Sequence, residues 1–210
     1  FGYMDYVERA AQKYPDVKFF HCSGYKTAEN MTNYFGKIEE ARYLTGIVAG
    51  MKTKTNKIGY VAAHPIPEVI RGLNAFTLGV RSVNPDATVQ VVWTNTWYNP
   101  SIEYDSAKSL IEAGCDVIAQ HQDTTEPVRA AKENNVYSVG YDAPMKEANP
   151  EYYLTAPIWN WGVLYNEQVE KILNGTWKPE NIWAPMSTGV VDLEEFGPSV
   201  EQATKDLIAA

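Results

Sequence analysis

The chain has 210 residues, of which 45% are hydrophobic and 12% aromatic, so it is too apolar to be disordered and long enough to bury a core. Acidic residues outnumber basic ones by 26 to 18, and the net charge of -8 makes a nucleic acid or an anionic membrane surface a poor partner. No stretch reaches the roughly 18 uncharged apolar residues that a membrane span needs. The first five residues do not resemble a signal peptide, so we expect any export signal to lie outside this chain.

Short apolar segments alternate with longer amphipathic segments along most of the chain, which is typical of βαβ units. Several of the apolar segments lack a polar alternate, as strands buried on both faces do. The predicted strands are 17–21, 57–62, 88–94, 116–121, 137–141 and 152–158.

Apolar residues at spacings of three and four predict the helices between these strands. A first helix is predicted at 6–14 and a last one near 200–208, after a region rich in glycine and proline that starts at Asn174. Pro67 and Pro100 lie where a first helical turn would begin. The two longest apolar stripes predict one helix through Met31, Tyr34, Ile38, Ala41, Leu44 and Val48, and another through Val69, Leu73, Phe76 and Val80.

The alternation of strands and helices breaks at 51–57 and at 143–150, and we interpret both breaks as crossings between two lobes. The predicted organisation is the remainder of an N-terminal lobe (1–54), a C-terminal lobe (55–148) and a return segment with elements of both lobes (149–210). A lobe of this kind normally opens with a strand, whereas this chain opens with a helix. We therefore expect two or three βαβ units, roughly 70 to 100 residues, to precede residue 1.

Neither metal binding nor disulfide chemistry is favoured by the sequence. The two cysteines, Cys22 and Cys115, form no CxxC pair. The three histidines, His21, His64 and His121, stand far apart without HxH or HxxxH spacing. No metal or cofactor is predicted.

Candidate ligand-binding residues follow the predicted strands, because open α/β sheets bind ligands beyond the carboxyl ends of their strands. Trp97 offers an aromatic face, and Asp123 and Asp142 offer charged acceptors for N–H or O–H groups. This combination predicts a site for a flat, partly polar small molecule and does not suit a phosphate. Tyr25 and Phe1 are candidates by position alone.

Each candidate also has a purely structural interpretation. Asp123 can cap the next helix, Asp142 can shape a turn, and Trp97 can pack in the core, although its position beyond a strand favours the surface. Trp159 and Trp161 lie two residues apart, so one can pack in the core while the other faces a cleft, and the sequence does not choose between them.

The motifs of common enzyme classes are missing, including GxSxG, GxxxxGK[ST] and GxGxxG. One catalytic alternative remains, in which Asp123 and Asp142 act as acid and base on a glycosidic bond. We expect a protein that is not an enzyme and keep a nucleoside or glycoside hydrolase as an alternative.

Seven runs of residues, spread over the whole chain in order, resemble one protein family. They are FGYMD (1–5), YPDVKF (14–19), EARYLTG (40–46), IGYV (58–61), PIPEV (65–69), NAFTLG (74–79) and GTW (175–177). The chain resembles the basic membrane protein family, which comprises substrate-binding lipoproteins of ABC importers related to the purine nucleoside receptor of spirochaetes.

The resemblance implies a type I periplasmic-binding-protein fold, with two doubly wound parallel-sheet lobes, three crossings and the ligand in the cleft between the lobes. The part of the chain before residue 1 would then hold the first strands of lobe 1, the export signal and the lipid-anchoring cysteine. By the same resemblance, Trp97 matches the aromatic that stacks on a purine, Asp142 matches a strand-end carboxylate, and Asp123 falls in the ligand loop. The expected ligand-binding residues are Phe1, Gly2, Tyr25, Trp97, Asp123, Asp142 and Trp159.

Two features depart from the family pattern. The stretch 155–161 has no lysine where the nucleoside receptor is expected to place one, which favours a free base such as adenine over a nucleoside. The chain is also acidic, in contrast to the family name.

We therefore expect a monomeric, extracytoplasmic solute receptor, anchored by a lipid that lies outside this chain. It would bind a purine by hinge closure and deliver it to a membrane permease. Besides the hydrolase, the alternatives are a ligand-sensing domain of a regulator and a receptor for a sugar or an amino acid, since the same fold serves all of these.

Overall fold

The computed structural model describes residues 2–209, and it alternates strands with helices as predicted. The strands are β1 (Phe19–Cys22), β2 (Met31–Gly36), β3 (Lys57–Ala62), β4 (Thr88–Trp93), β5 (Val117–His121), β6 (Tyr137–Val139), β7 (Tyr153–Thr155), β8 (Pro157–Trp159), β9 (Asn181–Ala184) and β10 (Val191–Leu193). The helices are α1 (Met4–Lys13), α2 (Ile38–Lys52), α3 (Pro67–Val83), α4 (Pro100–Glu112), α5 (Glu126–Glu133), α6 (Trp161–Leu173) and α7 (Gln202–Ala209). None of the helices within residues 2–209 has the length and apolar character that a membrane crossing requires.

The described residues form two compact units. Unit 1 comprises the residues up to Lys37 together with Trp159–Val191, and unit 2 comprises Ile38–Ile158 together with the residues from Asp192 onward. The chain thus passes from one unit to the other at 37/38, 158/159 and 191/192. These three passages agree with the three crossings that the resemblance implies.

The two breaks at 51–57 and 143–150 do not coincide with these passages, because both breaks lie inside unit 2. The predicted lobe boundary at 54/55 also lies inside unit 2. The reason is the packing of α2. This helix lies against α3 of unit 2 so closely that a Cβ at Gly46 would collide with the backbone carbonyl of Phe76, and one at Gly79 with that of Tyr43. Glycine allows this approach because it has no side chain.

Unit 1 contains a parallel three-stranded sheet in the order β1-β2-β9. The prediction that Met31 and Tyr34 belong to the helix that continues to Val48 is wrong, because Met31–Gly36 is the central strand of this sheet and the helix begins only at Ile38. All six residues of β2 are buried between partners on both sides, so tertiary pairing overrides the helical spacing.

Unit 2 contains a parallel five-stranded sheet in the order β4-β3-β5-β6-β7. Its two faces are covered by different helices. Tyr60 and Ala62 of β3 pack in a core with Phe76 of α3, whereas Val61 packs on the opposite face with Leu110 of α4. A parallel sheet covered on both faces is the doubly wound arrangement predicted from the sequence.

The predicted boundaries are close to the observed ones for most elements. Strand β3 has the predicted limits, and the predicted first and last helices differ from α1 and α7 by at most two residues at each end. The segment predicted at 152–158 is divided into β7 and β8, of which β8 pairs with β10.

Candidate functional site

The carboxyl ends of three strands lie level at one edge of the unit 2 sheet. Ala62, the last residue of β3, is in register with Trp93 of β4 and with His121 of β5. The loops that follow these strands therefore begin at the same edge. This is the edge at which ligands bind in open α/β sheets, and it carries Trp97 and Asp123.

Trp97 is half-buried in the loop after β4. Part of its indole packs against the core of unit 2, and its ring lies 5.1 Å from the ring of His64 and 6.1 Å from that of His121. The indole is therefore supported by its surroundings without being sealed inside the hydrophobic interior, so part of its surface is available to another molecule.

Asp123 does not cap the next helix, because α5 begins at Glu126 after Thr125. Its backbone N–H donates to the carbonyl of Trp97 at 3.1 Å, which joins the two loops. Partial loss of solvent around the Asp123 carboxyl raises its pKa, and the negative charges of Asp142 and Glu103 raise it further.

Asp142 lies in a turn, as its structural interpretation predicts. Its φ is 73°, and the N–H of Ala143 donates to the carbonyl of Tyr141 at 2.9 Å, which closes a three-residue turn around Asp142. The side chain is exposed, and its charge raises the pKa of Asp123. The two carboxylates are therefore close enough for their charges to interact.

A buried carboxylate that the sequence analysis missed holds the two loops in place. Glu103 of α4 is fully buried, and its Oε1 accepts the backbone N–H of Asn99 at 2.6 Å. Its Oε2 accepts the hydroxyl of Thr124, next to Asp123. One signal in the sequence could have indicated Glu103, which is the position of Asn99 four residues before it. Asn99 also accepts the N–H of Ile102, so the two residues resemble a capping box.

The sequence analysis also missed the pairing of His121 with Glu68, which lies beneath Trp97. His121 is fully buried, and its Nε2 lies 3.8 Å from Oε1 of Glu68, whose side chain is 14% exposed. Burial lowers the pKa of His121 well below 6.5, and the positive charge of Arg42 acts in the same direction, so the imidazole is neutral near pH 7. Burial raises the pKa of Glu68, and the positive charge of Arg71 partly offsets this effect.

The remaining sequence-predicted residues belong to unit 1. Trp159 and Trp161 stack on each other with 4.5 Å between ring centroids, and Trp159 also lies 4.9 Å from the ring of Phe35. Both tryptophans are half-buried, so they do not divide into one core and one cleft side chain. Tyr25 is 70% exposed and Gly2 is exposed, while Phe1 lies outside the described residues.

A cavity of about 720 Å³ opens next to the Asp123 and Asp142 loops, and its lining includes Thr125, Pro144 and Met145. Of the predicted ligand-binding residues that the structure describes, none lines it. Its buried carboxylate, Glu194, accepts the hydroxyl of Tyr153 and the N–H groups of residues 145 and 146, so its oxygens are already used. Within residues 2–209, no group of three or more His, Cys, Asp or Glu side chains is arranged to hold a metal ion.

Two relatives of this chain differ in the solute for which they are named. The chain is 50% identical over its whole length to a Haloferax volcanii protein named as an ABC transporter glucose-binding protein, of which it covers 54%. It is 43% identical, over 93% of its length, to a purine-binding protein of Brucella abortus, of which it covers 56%. The chain therefore spans about half the length of these relatives.

A solved structure and a family match agree with the resemblance. The fold matches a solute-binding protein of an ABC transporter system from Conexibacter woesei with a TM-score of 0.78, at 20% identity, over 97% of this chain and 70% of the other. Residues 1–210 match the family described as ABC transporter substrate-binding protein PnrA-like. The chain belongs to this PnrA-like family of ABC transporter substrate-binding proteins, with the type I periplasmic-binding-protein fold.

Proposed function

We propose that this protein binds a purine base or nucleoside, preferably an adenine-like ligand, as the solute receptor of an ABC importer, and that it is not an enzyme. The observation that carries the proposal is the half-buried indole of Trp97 at the carboxyl edge of the unit 2 sheet, in a loop whose Trp97 carbonyl accepts the backbone N–H of Asp123. The Brucella relative, named as purine-binding, supports the same ligand class.

The chemistry of this edge suits a flat ring with hydrogen-bond donors. The indole offers a stacking face, and the Asp123 and Asp142 carboxylates accept N–H groups such as an exocyclic amine. The charge of Asp142 helps to raise the pKa of Asp123, so these two carboxylates repel each other. They would also repel an anionic solute.

Glucose is the second candidate, because the Haloferax relative is named for that sugar. The C–H face of a sugar can also pack on an indole, and its hydroxyl groups can donate to carboxylates. The two candidates differ in geometry, since a purine stacks over its whole face whereas a sugar ring contacts the indole through a few C–H groups.

The partner and the location follow from the proposed role. A receptor of this kind is extracytoplasmic, is held at the membrane by an N-terminal lipid and meets a membrane permease. Hinge closure remains part of the proposal. A ligand shifts such an equilibrium only by its differential affinity, and moving it from 1:99 to 99:1 takes about 5.5 kcal/mol.

A thermal-shift screen over purine bases, nucleosides, glucose and amino acids tests the proposal, because a ligand that binds only the folded state raises the melting temperature. We expect the largest shift with adenine or a nucleoside. A shift with glucose and none with any purine would replace the first candidate by the second. Incubation with nucleosides, followed by analysis for free base, tests the hydrolase alternative, and we expect no release.

A further inference from the structure

The core of unit 2 contains a cluster of fully buried polar side chains beneath the Trp97 loop. Arg42, Tyr60, Gln120 and His121 each have 0% of their surface exposed. They come from α2, β3 and the end of β5, and none of them was singled out as a ligand residue by the sequence analysis.

These side chains adjoin one another. Nη1 of Arg42 donates to the backbone carbonyl of Gln120 at 2.7 Å. The guanidinium carbon lies 5.5 Å from the centre of the Tyr60 ring and 4.1 Å from that of Tyr141, and the Tyr141 ring in turn lies 4.1 Å from the ring of His121. The guanidinium is therefore at the centre of the cluster.

Much of the hydrogen-bonding capacity of the cluster is unused within residues 2–209. The buried atoms without a hydrogen-bond partner include Nε and Nη2 of Arg42, the hydroxyl of Tyr60, Oε1 of Gln120 and both ring nitrogens of His121. The amide nitrogen of Gln120 donates to the sulfur of Met145 at 2.8 Å, whereas its oxygen has no partner.

Native proteins rarely leave buried polar atoms without a hydrogen-bond partner. The cost in free energy is largest for a charged group such as a guanidinium. Here the unpaired atoms are complementary, because Arg42 offers N–H donors, Gln120 offers an acceptor, and Tyr60 can serve as either. Water both donates and accepts, and a buried water molecule makes about three hydrogen bonds.

Gly72 of α3 lies beside the guanidinium. A Cβ built at this position would lie 3.6 Å from Nε of Arg42, in ordinary contact, so glycine leaves this side of the donor uncovered by a side chain of α3. We propose that ordered water molecules occupy this cluster and form an internal hydration site around the guanidinium of Arg42.

Water fits this position better than a small anion does. The carboxylate of Glu68 already faces the positive charge of Arg42, since this charge acts to lower the pKa of Glu68. An added anion would meet the negative charges of Glu68 and Asp123, which already repel each other. A neutral molecule satisfies the unpaired atoms without that repulsion.

A high-resolution crystal structure tests the proposal, with a second crystal soaked in bromide. We expect solvent density at about 2.7 to 3.2 Å from Nε or Nη2 of Arg42 and no anomalous bromide peak there. An anomalous peak would replace water by an anion, and a cluster that is dry, or an Arg42 side chain that points to bulk solvent, would overturn the hydration site.

Magnetic relaxation dispersion of water nuclei provides an independent test, since it counts long-lived internal waters in solution. We expect Arg42→Met to lower this count. Tyr60→Phe keeps the ring and removes one unpaired hydroxyl, so it should lower the count as well and replaces Arg42→Met if that variant does not fold. Arg129→Met, at an exposed arginine of α5, is the matched control and should leave the count unchanged. An unchanged count in a folded Tyr60→Phe variant would contradict the proposal.

Discussion

Trp97 combines a structural contact with an available aromatic face. Its indole rests against the core of unit 2 and lies near the rings of His64 and His121, yet the residue is only half-buried. A side chain fixed by its neighbours loses little conformational freedom when a ligand stacks on it, which favours binding.

We predict that Trp97→Ala weakens binding of the ligand more than tenfold, which corresponds to about 1.4 kcal/mol, while the protein stays folded. Trp97→Phe should retain most of the affinity, because a smaller aromatic face remains. Titration calorimetry measures the affinities. Tyr98→Ala is the control, since Tyr98 is the next residue in the same loop and is 67% exposed. Unchanged affinity in Trp97→Ala would remove this side chain from the site.

The charge of Asp123 opposes folding. Burial and the charges of Asp142 and Glu103 raise its pKa above the ordinary value of 3.8. The folded state therefore holds the proton more tightly than the unfolded state, and stability falls as the pH rises from the ordinary value through the raised one. At pH 7 the ionised group is a small net cost, because the side chain is exposed and solvent screens it.

We predict that Asp123→Asn weakens ligand binding at pH 7 and slightly increases the free energy of unfolding, by less than about 1 kcal/mol. Binding to the wild type should weaken as the pH is lowered through the raised pKa, since a neutral carboxyl accepts a hydrogen bond more weakly than a carboxylate does. Calorimetry across pH and urea unfolding provide the data. Asp105→Asn, at an exposed position of α4, is the control. A variant that binds as tightly as the wild type at every pH would contradict the role of Asp123.

At the scale of elements, helix α4 connects the two candidate ligand loops through Glu103. The carboxylate joins the start of α4 at Asn99 to the loop after β5 at Thr124, and Gln122 adds a hydrogen bond to Thr94 at 2.6 Å. Removing a buried partner leaves the remaining donors unsatisfied, which costs more than the bond itself contributes.

We predict that Glu103→Ala lowers the free energy of unfolding by about 2 to 3 kcal/mol and also weakens ligand binding, because the Trp97 and Asp123 loops lose their common anchor. Glu103→Gln, which keeps an acceptor oxygen, should lose less of both. Urea unfolding and calorimetry on the same samples separate the two effects. Glu112→Ala, at an exposed position of the same helix, is the control. A destabilised Glu103→Ala protein with full affinity would show that the anchor does not position the site.

The elements also mark where sequence patterns are sufficient and where they fail. Strands such as β3 were predictable because an apolar run buried on both faces has no polar alternate. Strand β2 was not, because Met31 and Tyr34 lie at a helical spacing from Ile38 of the true helix. Only the pairing of β2 with β1 and β9 decides its conformation, and that pairing is not a local property of the sequence.

The candidate site divides in the same way. Trp97, Asp123 and Asp142 could be predicted because they follow strands. The burial of Glu103 and Glu68 could not be predicted, even though Asn99 four residues before Glu103 indicates a cap, because each lies in the first turn of a helix, where an acidic residue is usually solvated. Their burial depends on how the helix packs on the sheet.

At the scale of the whole molecule, buried ionisable groups should control how stability depends on pH. Burial lowers the pKa of His121 well below 6.5 and also lowers that of His21. Below pH 6.5 the unfolded state takes up these protons more readily than the folded state does. The contribution of these two histidines to stability is therefore complete above this value and is lost as the pH falls.

We predict that the free energy of unfolding of the wild type falls between pH 6.5 and about pH 5 by up to about 1.4 kcal/mol per pH unit for each such histidine. The free energy of unfolding of the His121→Gln variant should fall less steeply with decreasing pH, because only His21 then contributes. Urea unfolding at a series of pH values measures both slopes. Equal slopes in the two proteins would mean that His121 titrates normally in the folded state.

A crystal structure of the protein with adenine bound would locate the ligand directly. We predict that the purine stacks on the indole of Trp97, with ring centroids on the order of 4.5 Å apart, and that a ring or exocyclic N–H donates to Asp123. Adenine bound elsewhere, with the indole of Trp97 still covered only by its own side-chain neighbours, would contradict this prediction.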